Sequence, residues 1–333
     1  MIIENFKHQQ SAHCESGVTI GLLRHYGVEL TEPLAFGIGA GLFFGHLPFI
    51  KVGGVPGTTF RIWPGFIFKK VCSELGVTMK VQTFSNVQSG MEALDQALQK
   101  GQPVGMQSSV YYLNYFPPAW RFHFNGHNLI AYGKEGSEYL VSDPVMESTN
   151  RLPADELAKA RFAKGFPAPK GRMYYPVQTG RGKSLEKAIE SGIKKTCFFM
   201  LQSPPPFFGY RGIRFLGNRV AKYPEKLESR RAALFLGNII RMQEEIGTGG
   251  GGFRFLYAAF LQEAAGITNR SAYQELSREM TVIGDNWRNF AFSSARVMKE
   301  RSGSLSTYRE LGDMLHQLAE QEKAFFTRLK KTL

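Results

Sequence analysis

Cysteine is scarce in this sequence, since only Cys14, Cys72 and Cys197 occur in 333 residues. An odd number of widely spaced cysteines argues against a disulfide scaffold and favours a reducing compartment. No cysteine pair or histidine–cysteine cluster has the spacing of a metal site, so we expect no bound metal. The start of the sequence lacks the cationic and apolar segments of a secretory signal. We therefore expect a cytoplasmic protein.

Long apolar runs are also missing. The most apolar stretch is PLAFGIGAGLFFGHLPFI, which is rich in glycine and contains His46 and Pro48. It is short for a membrane-spanning helix, which needs about 20 predominantly apolar residues. This stretch therefore predicts a buried loop and helix, and we expect no integral membrane segment.

Acidic residues are few, with 28 Asp and Glu against 41 Lys and Arg, which gives a net charge of +13. Residues 161–241 hold 17 Lys and Arg against 4 Asp and Glu, and so account for the whole excess. A basic region of this kind attracts nucleic acid, anionic lipid or an acidic protein, unless it is only a solvated surface. No zinc-finger or RNP-type aromatic pattern accompanies it, so we do not expect nucleic acid as the partner.

The sequence pattern changes near residue 175. Before it, short helical and strand patterns alternate, and they include a hairpin over 127–144 with its turn near Gly136. After it, long amphipathic helical patterns dominate. Two Pro- and Gly-rich stretches, 165–180 and 203–219, predict a linker or loose strand and an irregular segment. We therefore predict an α+β domain at 1–175 and a mostly helical domain at 176–333.

Cys14 begins the first predicted helix, CESGVTIGLLRHYG, which Gly27 would end. The N–H groups and the dipole at a helix N-terminus favour an anion and so stabilise a thiolate. The backbone N–H of Cys14 would face an oxyanion there. Taken alone, however, a lone cysteine in a helix is more often a small buried hydrophobic residue.

A base for this thiol is offered by the predicted hairpin. His127 begins its first strand and Asp143 ends its second, and positions whose numbers sum to about 272 should face each other across a pivot at Gly136. Asp143 is then one diagonal step from His127 on the same face. A carboxylate on one imidazole nitrogen fixes the tautomer and leaves the other nitrogen to activate a thiol. A register slip of one residue would undo this pairing and leave His123 as the alternative.

The chain order of cysteine, histidine and aspartate is that of papain-like folds. We therefore predict a papain-like first domain with Cys14, His127 and Asp143 as catalytic triad. The second oxyanion donor is expected just before the helix, where Gln9 and Gln10 lie, and Gln10 is preferred. A surface amide without such a role is the alternative, and His8 and His13 are also near.

A glycine-rich stretch, GTGGGGFR, occurs at 247–254. It has no Walker lysine, and the other glycine-rich stretch, FGIGAGLFFG, has neither a GxGxxG match nor the strand–turn–helix context of a dinucleotide site, so we expect no nucleotide cofactor. Gly249 and Gly250 would let the backbone approach a substrate closely, and Arg254 would hold an anion. A flexible turn between two helices is the alternative.

These residues together resemble the butirosin biosynthesis protein H family. The N-terminal domain of that family begins with HCES and continues with a glycine-rich FG segment and later GH and DP elements. The corresponding elements here are His13–Ser16, AFGIGAGLFF, Gly126-His127 and Asp143-Pro144. The second half resembles the helical domain that often follows, including GTGGGGFRFLYAAFL.

The resemblance implies transfer of an acyl group from an acyl carrier protein thioester to an amine or hydroxyl of a small-molecule acceptor. Cys14 would be the nucleophile, His127 the base and Asp143 the residue that orients it. No cofactor would be needed beyond the phosphopantetheine of the carrier. The basic region 161–241 would dock the acidic carrier, and the helical domain would help to shape the acceptor site.

Three other functions remain open at the level of the sequence. A cysteine hydrolase, such as a peptidase, amidase or thioesterase, would use the same triad. A non-catalytic scaffold would bind a carrier protein through the basic region without using Cys14. A binder of nucleic acid or of membrane surfaces would show strongly salt-dependent binding.

Overall fold

The structure is a computed structural model that describes residues 1–300 and 305–333. Its helices are α1 (Cys14–His25), α2 (Glu32–Ile38), α3 (Phe66–Glu74), α4 (Val87–Gln99), α5 (Ala154–Arg161), α6 (Leu185–Gln202), α7 (Gly209–Val220), α8 (Tyr223–Lys226), α9 (Ser229–Glu244), α10 (Arg254–Thr268), α11 (Ser271–Glu300) and α12 (Leu305–Lys331). Its strands are β1 (Leu42–Val52), β2 (Val55–Arg61), β3 (Val77–Gln82), β4 (Val104–Ser108), β5 (His127–Glu135), β6 (Glu138–Ser142), β7 (Asn150–Pro153) and β8 (Met173–Thr179). None of the helices in the described ranges is long and apolar enough to cross a membrane.

The chain folds into two compact units. The first consists of Met1–Ala35 and Ile67–Lys183, and the second of Phe36–Phe66 and Ser184–Leu333. The division predicted from the sequence, 1–175 and 176–333, differs because β1 and β2 belong to the second unit. Within that unit β1 packs on α6 and α7, and β2 packs on α9. The prediction of an α+β first part and a helical second part is confirmed.

The first unit is built on an antiparallel sheet of six strands in the order β3-β8-β4-β5-β6-β7. Helix α1 packs on β4, β5 and β8, near the middle of this sheet. Glycine allows the close approach, since a Cβ on Gly21 would lie 3.0 Å from Cδ1 of Ile130. On the sheet side, a Cβ on Gly105 would lie 3.0 Å from Cδ1 of Leu22 in α1. The N-terminus of α1 is thereby held against the sheet that carries the candidate site.

The stretch 165–180 was predicted as a linker or loose strand; the structure has a strand there, but it is an integral part of the sheet. It contains β8, which lies between β3 and β4 inside the sheet. Pro176 has no N–H to donate, and it faces Met79 where β8 has one extra residue, Val177, relative to β3. Met173 and Tyr174 are nevertheless buried. The local Pro and Gly content therefore masked a central strand, which is fixed by contacts with strands distant in the sequence.

The hairpin of β5 and β6 has the predicted register at the end that carries His127 and Asp143. Ile130 faces Ser142, so that the residue numbers of facing pairs add up to 272 there. Near the turn, Glu135 faces Glu138 and the numbers add up to 273. A bulge at Tyr132, between Ala131 and Gly133, makes the difference of one residue. Without this bulge Asp143 would project from the opposite face of the sheet to His127.

The second unit consists of the β1–β2 hairpin, α6–α12 and the residues that join them. The stretch 203–219 was predicted as irregular, but the structure places α7 over most of it. Ile213, Leu216 and Val220 are fully buried and follow the spacing of one helix face. This face lets α7 pack along α12. The Pro-rich stretch ends before Gly209, which has a positive φ of 58°. From Gly209 onward the amphipathic pattern forms a helix.

Candidate active site

Cys14 is the first residue of α1, and 7% of it is exposed. His13 is the N-cap residue, and its Nδ1 accepts the backbone N–H of Ser16 at 3.3 Å. The same nitrogen lies 2.7 Å from the hydroxyl of Ser16. A side chain that accepts from the first turn fixes the beginning of a helix. The predicted position of Cys14 at a helix N-terminus is therefore confirmed by the cap itself.

The residue that follows the cysteine has a separate structural role. Glu15 is fully buried, and its Oε1 accepts the N–H groups of Ile67 at 3.0 Å and Phe68 at 3.4 Å. These two N–H groups belong to the first turn of α3, so the Glu15 carboxylate caps that helix. The polar residues that flank Cys14 in HCES thus have structural roles: His13 and Ser16 bond with each other at the start of α1, and Glu15 links α1 to α3.

The segment before the cysteine is held by Glu32. Its carboxylate accepts the N–H of Ala12 at 2.9 Å and the N–H of His13 at 2.7 Å. Burial raises the pKa of Glu32, while the hydrogen bonds from these two N–H groups lower it. The backbone directly before Cys14 is therefore tethered to α2.

His127 and Asp143 meet as the hairpin register requires. Nε2 of His127 lies 2.7 Å from Oδ2 of Asp143, and both residues are buried. Asp143 also accepts the hydroxyl of Tyr115 at 2.7 Å and the N–H of Val145 at 3.2 Å. Three donors therefore orient one carboxylate. Tyr115 lies in an irregular segment distant in the sequence from Asp143, so no local sequence pattern indicates its role.

The protonation of His127 follows from its partners. Burial lowers its pKa, but the charge and the hydrogen bond of Asp143 raise it, and Cys14 adds a hydrogen bond and a charge interaction in the same direction. The net result is a pKa of about 10. Since Asp143 occupies Nε2, the remaining nitrogen Nδ1 is the one that meets the thiol. At neutral pH the favoured form is an imidazolium beside Cys14.

A second side chain reaches the sulfur. Nδ2 of Asn128 lies 3.9 Å from Sγ of Cys14 and donates to it. The same amide group donates to the carbonyl oxygen of Gly126 at 3.2 Å, and Oδ1 of Asn128 accepts the hydroxyl of Tyr174 at 2.7 Å. Asn128 was not among the residues predicted for the site. The available signal was a polar residue inside HNLIAYG, a strand that is otherwise apolar after His127.

The other candidates near the site are placed differently. Gln10 is exposed, and its role as oxyanion donor stays a prediction. His8 lies with Nε2 3.1 Å from the carbonyl oxygen of Met146. His123 stacks on the ring of Tyr111, with centroids 4.1 Å apart. The histidine that interacts with both the thiol and the aspartate is therefore His127.

Cys72 and Cys197 provide a contrast with Cys14. Both are buried, and burial raises the pKa of each to about 12. A thiol with so high a pKa is unreactive at neutral pH. Among the described residues there is also no group of three or more His, Cys, Asp or Glu side chains that could hold a metal ion.

Arg254 lies inside the second unit and is fully buried. Its Nε and Nη2 donate to the carboxylate of Glu322 at 2.8 and 3.0 Å, and Nη1 donates to the carbonyl oxygen of Gly252 at 2.6 Å. The indole N–H of Trp287 donates to the same carboxylate at 2.7 Å. The guanidinium is thus used within the fold, and anion binding by Arg254 stays a prediction.

The glycine-rich loop beside it has an unusual backbone. Gly249 and Gly250 have φ of 66° and 86°, in the region that favours glycine. The N–H of Gly250 donates to the hydroxyl of Thr248 at 3.0 Å. The N–H of Gly251 donates to the carboxylate of Glu244 at 3.2 Å. This loop bonds with its own neighbours, and substrate binding by Gly249 and Gly250 stays a prediction.

The family comparison covers both units. Residues 13–144 match the family described as butirosin biosynthesis protein H, N-terminal, and residues 155–329, more than half of the chain, match the domain of unknown function DUF4872. The chain belongs to the butirosin biosynthesis protein H family and carries the DUF4872 domain. The first match begins at the N-cap of α1 and ends just after Asp143. It therefore spans Cys14, His127 and Asp143.

Other comparisons add little to the family match. A solved structure from Bacillus anthracis, named as a C39-like peptidase, is 16% identical and covers 54% of this chain and 98% of its own, with a TM-score of 0.39. No curated protein matches the sequence. A thiol at the N-terminus of a helix, with an imidazole and a carboxylate on the adjoining sheet, is the papain-like arrangement. This member of the butirosin biosynthesis protein H family is thus a papain-like cysteine enzyme in a biosynthetic family.

Proposed function

We propose that this protein is a cysteine-dependent acyltransferase that moves an acyl group from an acyl carrier protein thioester to an amine or hydroxyl acceptor. The observation that carries this proposal is the row of groups formed by Cys14, His127 and Asp143, which provides a nucleophile, a proton carrier and its orienting carboxylate. Membership of a biosynthetic family supports transfer to an acceptor in preference to degradation.

In the acylation step the Cys14 thiolate attacks the thioester carbonyl. The new C–S bond gives a tetrahedral intermediate whose oxyanion is held by the backbone N–H of Cys14 at the helix N-terminus. The intermediate then collapses, and the bond to the pantetheine sulfur breaks. The imidazolium of His127 donates its proton to this leaving sulfur, and an acyl-enzyme and a free carrier thiol result.

In the transfer step His127 is neutral and acts as a base. It takes a proton from the acceptor amine or hydroxyl as that group attacks the acyl-enzyme carbonyl. When the second tetrahedral intermediate collapses, Cys14 leaves as a thiolate beside an imidazolium. The resting ion pair is thereby restored, and Asp143 keeps Nε2 bonded throughout.

Exclusion of water supports transfer over hydrolysis. Cys14 and His127 are each less than a tenth exposed, and Asp143 is fully buried. An acyl-enzyme in a largely buried site meets bulk water rarely, so that a bound acceptor can compete with it.

The basic region supports an acidic carrier as the acyl donor, but only a part of it is suited to this task. Arg161 is buried and donates to backbone carbonyls, so it cannot dock a partner. In the second unit, α6–α9 and their connections carry exposed cations at Lys187, Lys194, Lys222, Lys226, Arg230 and Arg231. We propose that these side chains steer an acidic carrier protein. No cofactor beyond the carrier's phosphopantetheine is required, and this chemistry suits a cytoplasmic enzyme.

The test is mass spectrometry of the intact protein after incubation with a butyryl-loaded acyl carrier protein. We expect an acyl adduct on Cys14 that is discharged faster when amine or hydroxyl acceptors are added. Cys14→Ala should form no adduct, whereas Cys72→Ala, which removes a buried thiol outside the site, should form it normally. An adduct that persists in Cys14→Ala would refute the proposal.

The same experiment separates the alternatives. Discharge of the adduct at one rate with and without every acceptor tested would show a hydrolase. Full activity of Cys14→Ser in its pathway would show a scaffold. Loss of adduct formation in a Lys187→Glu/Lys194→Glu variant, together with normal acylation from a small butyryl thioester, is expected if these cations receive the carrier.

A further inference from the structure

We propose that Asn128 is a catalytic residue whose side-chain amide donates first to the Cys14 thiolate and then to the carbonyl oxygen of the bound thioester. The inference rests on the proposed role of Cys14 as nucleophile. Asn128 would then provide the second hydrogen-bond donor to the oxyanion, the role for which the sequence pattern favoured Gln10.

The first support is the contact with the reacting atom. Nδ2 of Asn128 is 3.9 Å from Sγ of Cys14, and the thiol also interacts with His127. Asn128 is 1% exposed. A donor in a buried site has a stronger effect on negative charge than the same donor in water. The position of Asn128 is therefore suited to a thiolate.

The second support is that the amide is fixed before substrate arrives. The hydroxyl of Tyr174 donates to Oδ1 of Asn128 at 2.7 Å, which turns the NH₂ end of the amide towards the sulfur. Tyr174 is itself buried and packs on Phe68, with ring centroids 4.6 Å apart. A preorganised donor does not have to reorient when charge develops, which is the property required of an oxyanion hole.

The chemistry of the attack continues the same interaction. When Sγ bonds to the thioester carbon, its negative charge moves to the carbonyl oxygen, which is attached to that carbon and so lies beside the sulfur. An N–H group directed at Sγ can follow this charge over a short distance. Asn128 gains and loses no proton, because an amide only donates its hydrogen bond.

Gln10 is the alternative donor, and the structure gives it a different environment. Gln10 is exposed, whereas Asn128 is buried and contacts Sγ. A purely structural role for Asn128, as a link between Tyr174 and Gly126, is the other alternative. Such a role would affect folding but would leave the thiolate equilibrium of a folded protein unchanged.

The experiment measures alkylation of Cys14 by iodoacetamide as a function of pH, with peptide mass spectrometry to identify the labelled residue. We expect Asn128→Ala to raise the midpoint of thiolate formation by about one pH unit, because one charge-assisted hydrogen bond is lost. Tyr174→Phe should give a smaller upward shift, and Gln10→Ala should give none. An unchanged midpoint in Asn128→Ala would overturn the proposal.

Cys72 and Cys197 report on the fold in the same experiment, because both are buried and should remain unlabelled. If iodoacetamide labels Cys72 or Cys197 in Asn128→Ala, that variant is not correctly folded, and Asn128→Asp is measured in its place. That variant keeps the size of the side chain and its acceptor for Tyr174, but places a carboxylate beside the sulfur. We expect it to raise the midpoint by more than the alanine variant does, and a midpoint at or below that of the wild type would refute the role of Asn128.

A second readout is the rate of acylation by a small butyryl thioester. Loss of one oxyanion donor should slow acylation by about 100-fold, and Gln10→Ala should acylate at the wild-type rate. Alkylation needs no acyl donor, so it tests Asn128 even if the acyltransferase proposal fails. The converse result is that the wild type transfers acyl groups while Asn128→Ala keeps the wild-type alkylation midpoint and acylation rate. That result would refute the role of Asn128 and leave the acyltransferase proposal standing.

Discussion

The N–H of Ser11 donates to the carbonyl oxygen of Pro144 over 2.6 Å, and these two residues enclose Gly17. A Cβ on Gly17 would lie 2.4 Å from Cβ of Pro144 and 2.8 Å from Cβ of Ser11. The first turn of α1 is thus clamped against the residue that follows Asp143. This contact sets the separation between the nucleophile helix and the His127–Asp143 pair.

Gly17→Ala should therefore disturb the site as well as the fold. Over-packing of a tight core position costs about 1–3 kcal/mol of the free energy of unfolding, which urea denaturation would measure. We also expect slower alkylation of Cys14 at pH 7, since α1 must move away from His127. Gly266→Ala is the matched control, because a Cβ there meets nothing within 4 Å. Equal effects of the two substitutions would contradict this account of Gly17.

His127 should make the stability depend on pH in a defined window. Its pKa rises from 6.5 to about 10 on folding, so the folded protein holds a proton that the unfolded chain releases. The stabilisation is complete below pH 6.5 and is lost as the pH rises towards 10. Urea denaturation between pH 6 and 10 should show a steeper decline for the wild type than for His127→Gln. Identical slopes for the two proteins would contradict the raised pKa.

Tyr115→Phe should destabilise the protein through Asp143. The substitution keeps the ring but removes the hydroxyl that donates to a buried carboxylate. A hydrogen bond to a charged group contributes about 1.5–3 kcal/mol, which a shift of the urea midpoint would reveal. Tyr111→Phe is the control, because Tyr111 is 45% exposed, and we expect a change within about 0.5 kcal/mol. Equal stabilities of the two variants would contradict the role of Tyr115.

Arg254 should behave as a structural residue of the second unit. Arg254→Met leaves the buried carboxylate of Glu322 without its cation, which costs about 3–5 kcal/mol. Arg214→Met removes one partner of the exposed pair with Glu320 and should cost no more than about 1 kcal/mol. Chemical denaturation compares the two variants. A fully stable Arg254→Met with weakened substrate binding would restore the anion-binding hypothesis.

The local pattern of the sequence predicted much of the candidate site. An N-cap and a helical pattern placed Cys14, and strand alternation about Gly136 placed Asp143 next to His127. The second placement depended on Tyr132, whose bulge changes the register by one residue. The turn alone, with Glu135 facing Glu138, would have put Asp143 on the wrong face.

The remaining features depend on contacts that no local pattern contains. The β1–β2 hairpin joins the second unit because its partners are helices more than a hundred residues later. Tyr115 and Asn128 are polar side chains whose partners, Asp143 and Cys14, come from other elements. The Pro and Gly content of 165–180 allowed only a linker or loose strand to be predicted, whereas β8 is fixed in the sheet by β3 and β4, with one extra residue beside Pro176.

The bulge at Tyr132 also makes the hairpin unequally tolerant of changes in length. The turn around Gly136 is exposed, and residues added there lengthen a loop without altering which side chains face each other below it. Removal of the one extra residue at Tyr132 would instead shift the register by one residue for every pair between the bulge and His127, so that the side chains would face the opposite side of the sheet. Whether His127 and Asp143 can meet thus depends on whether the number of β5 residues between His127 and the turn is even or odd.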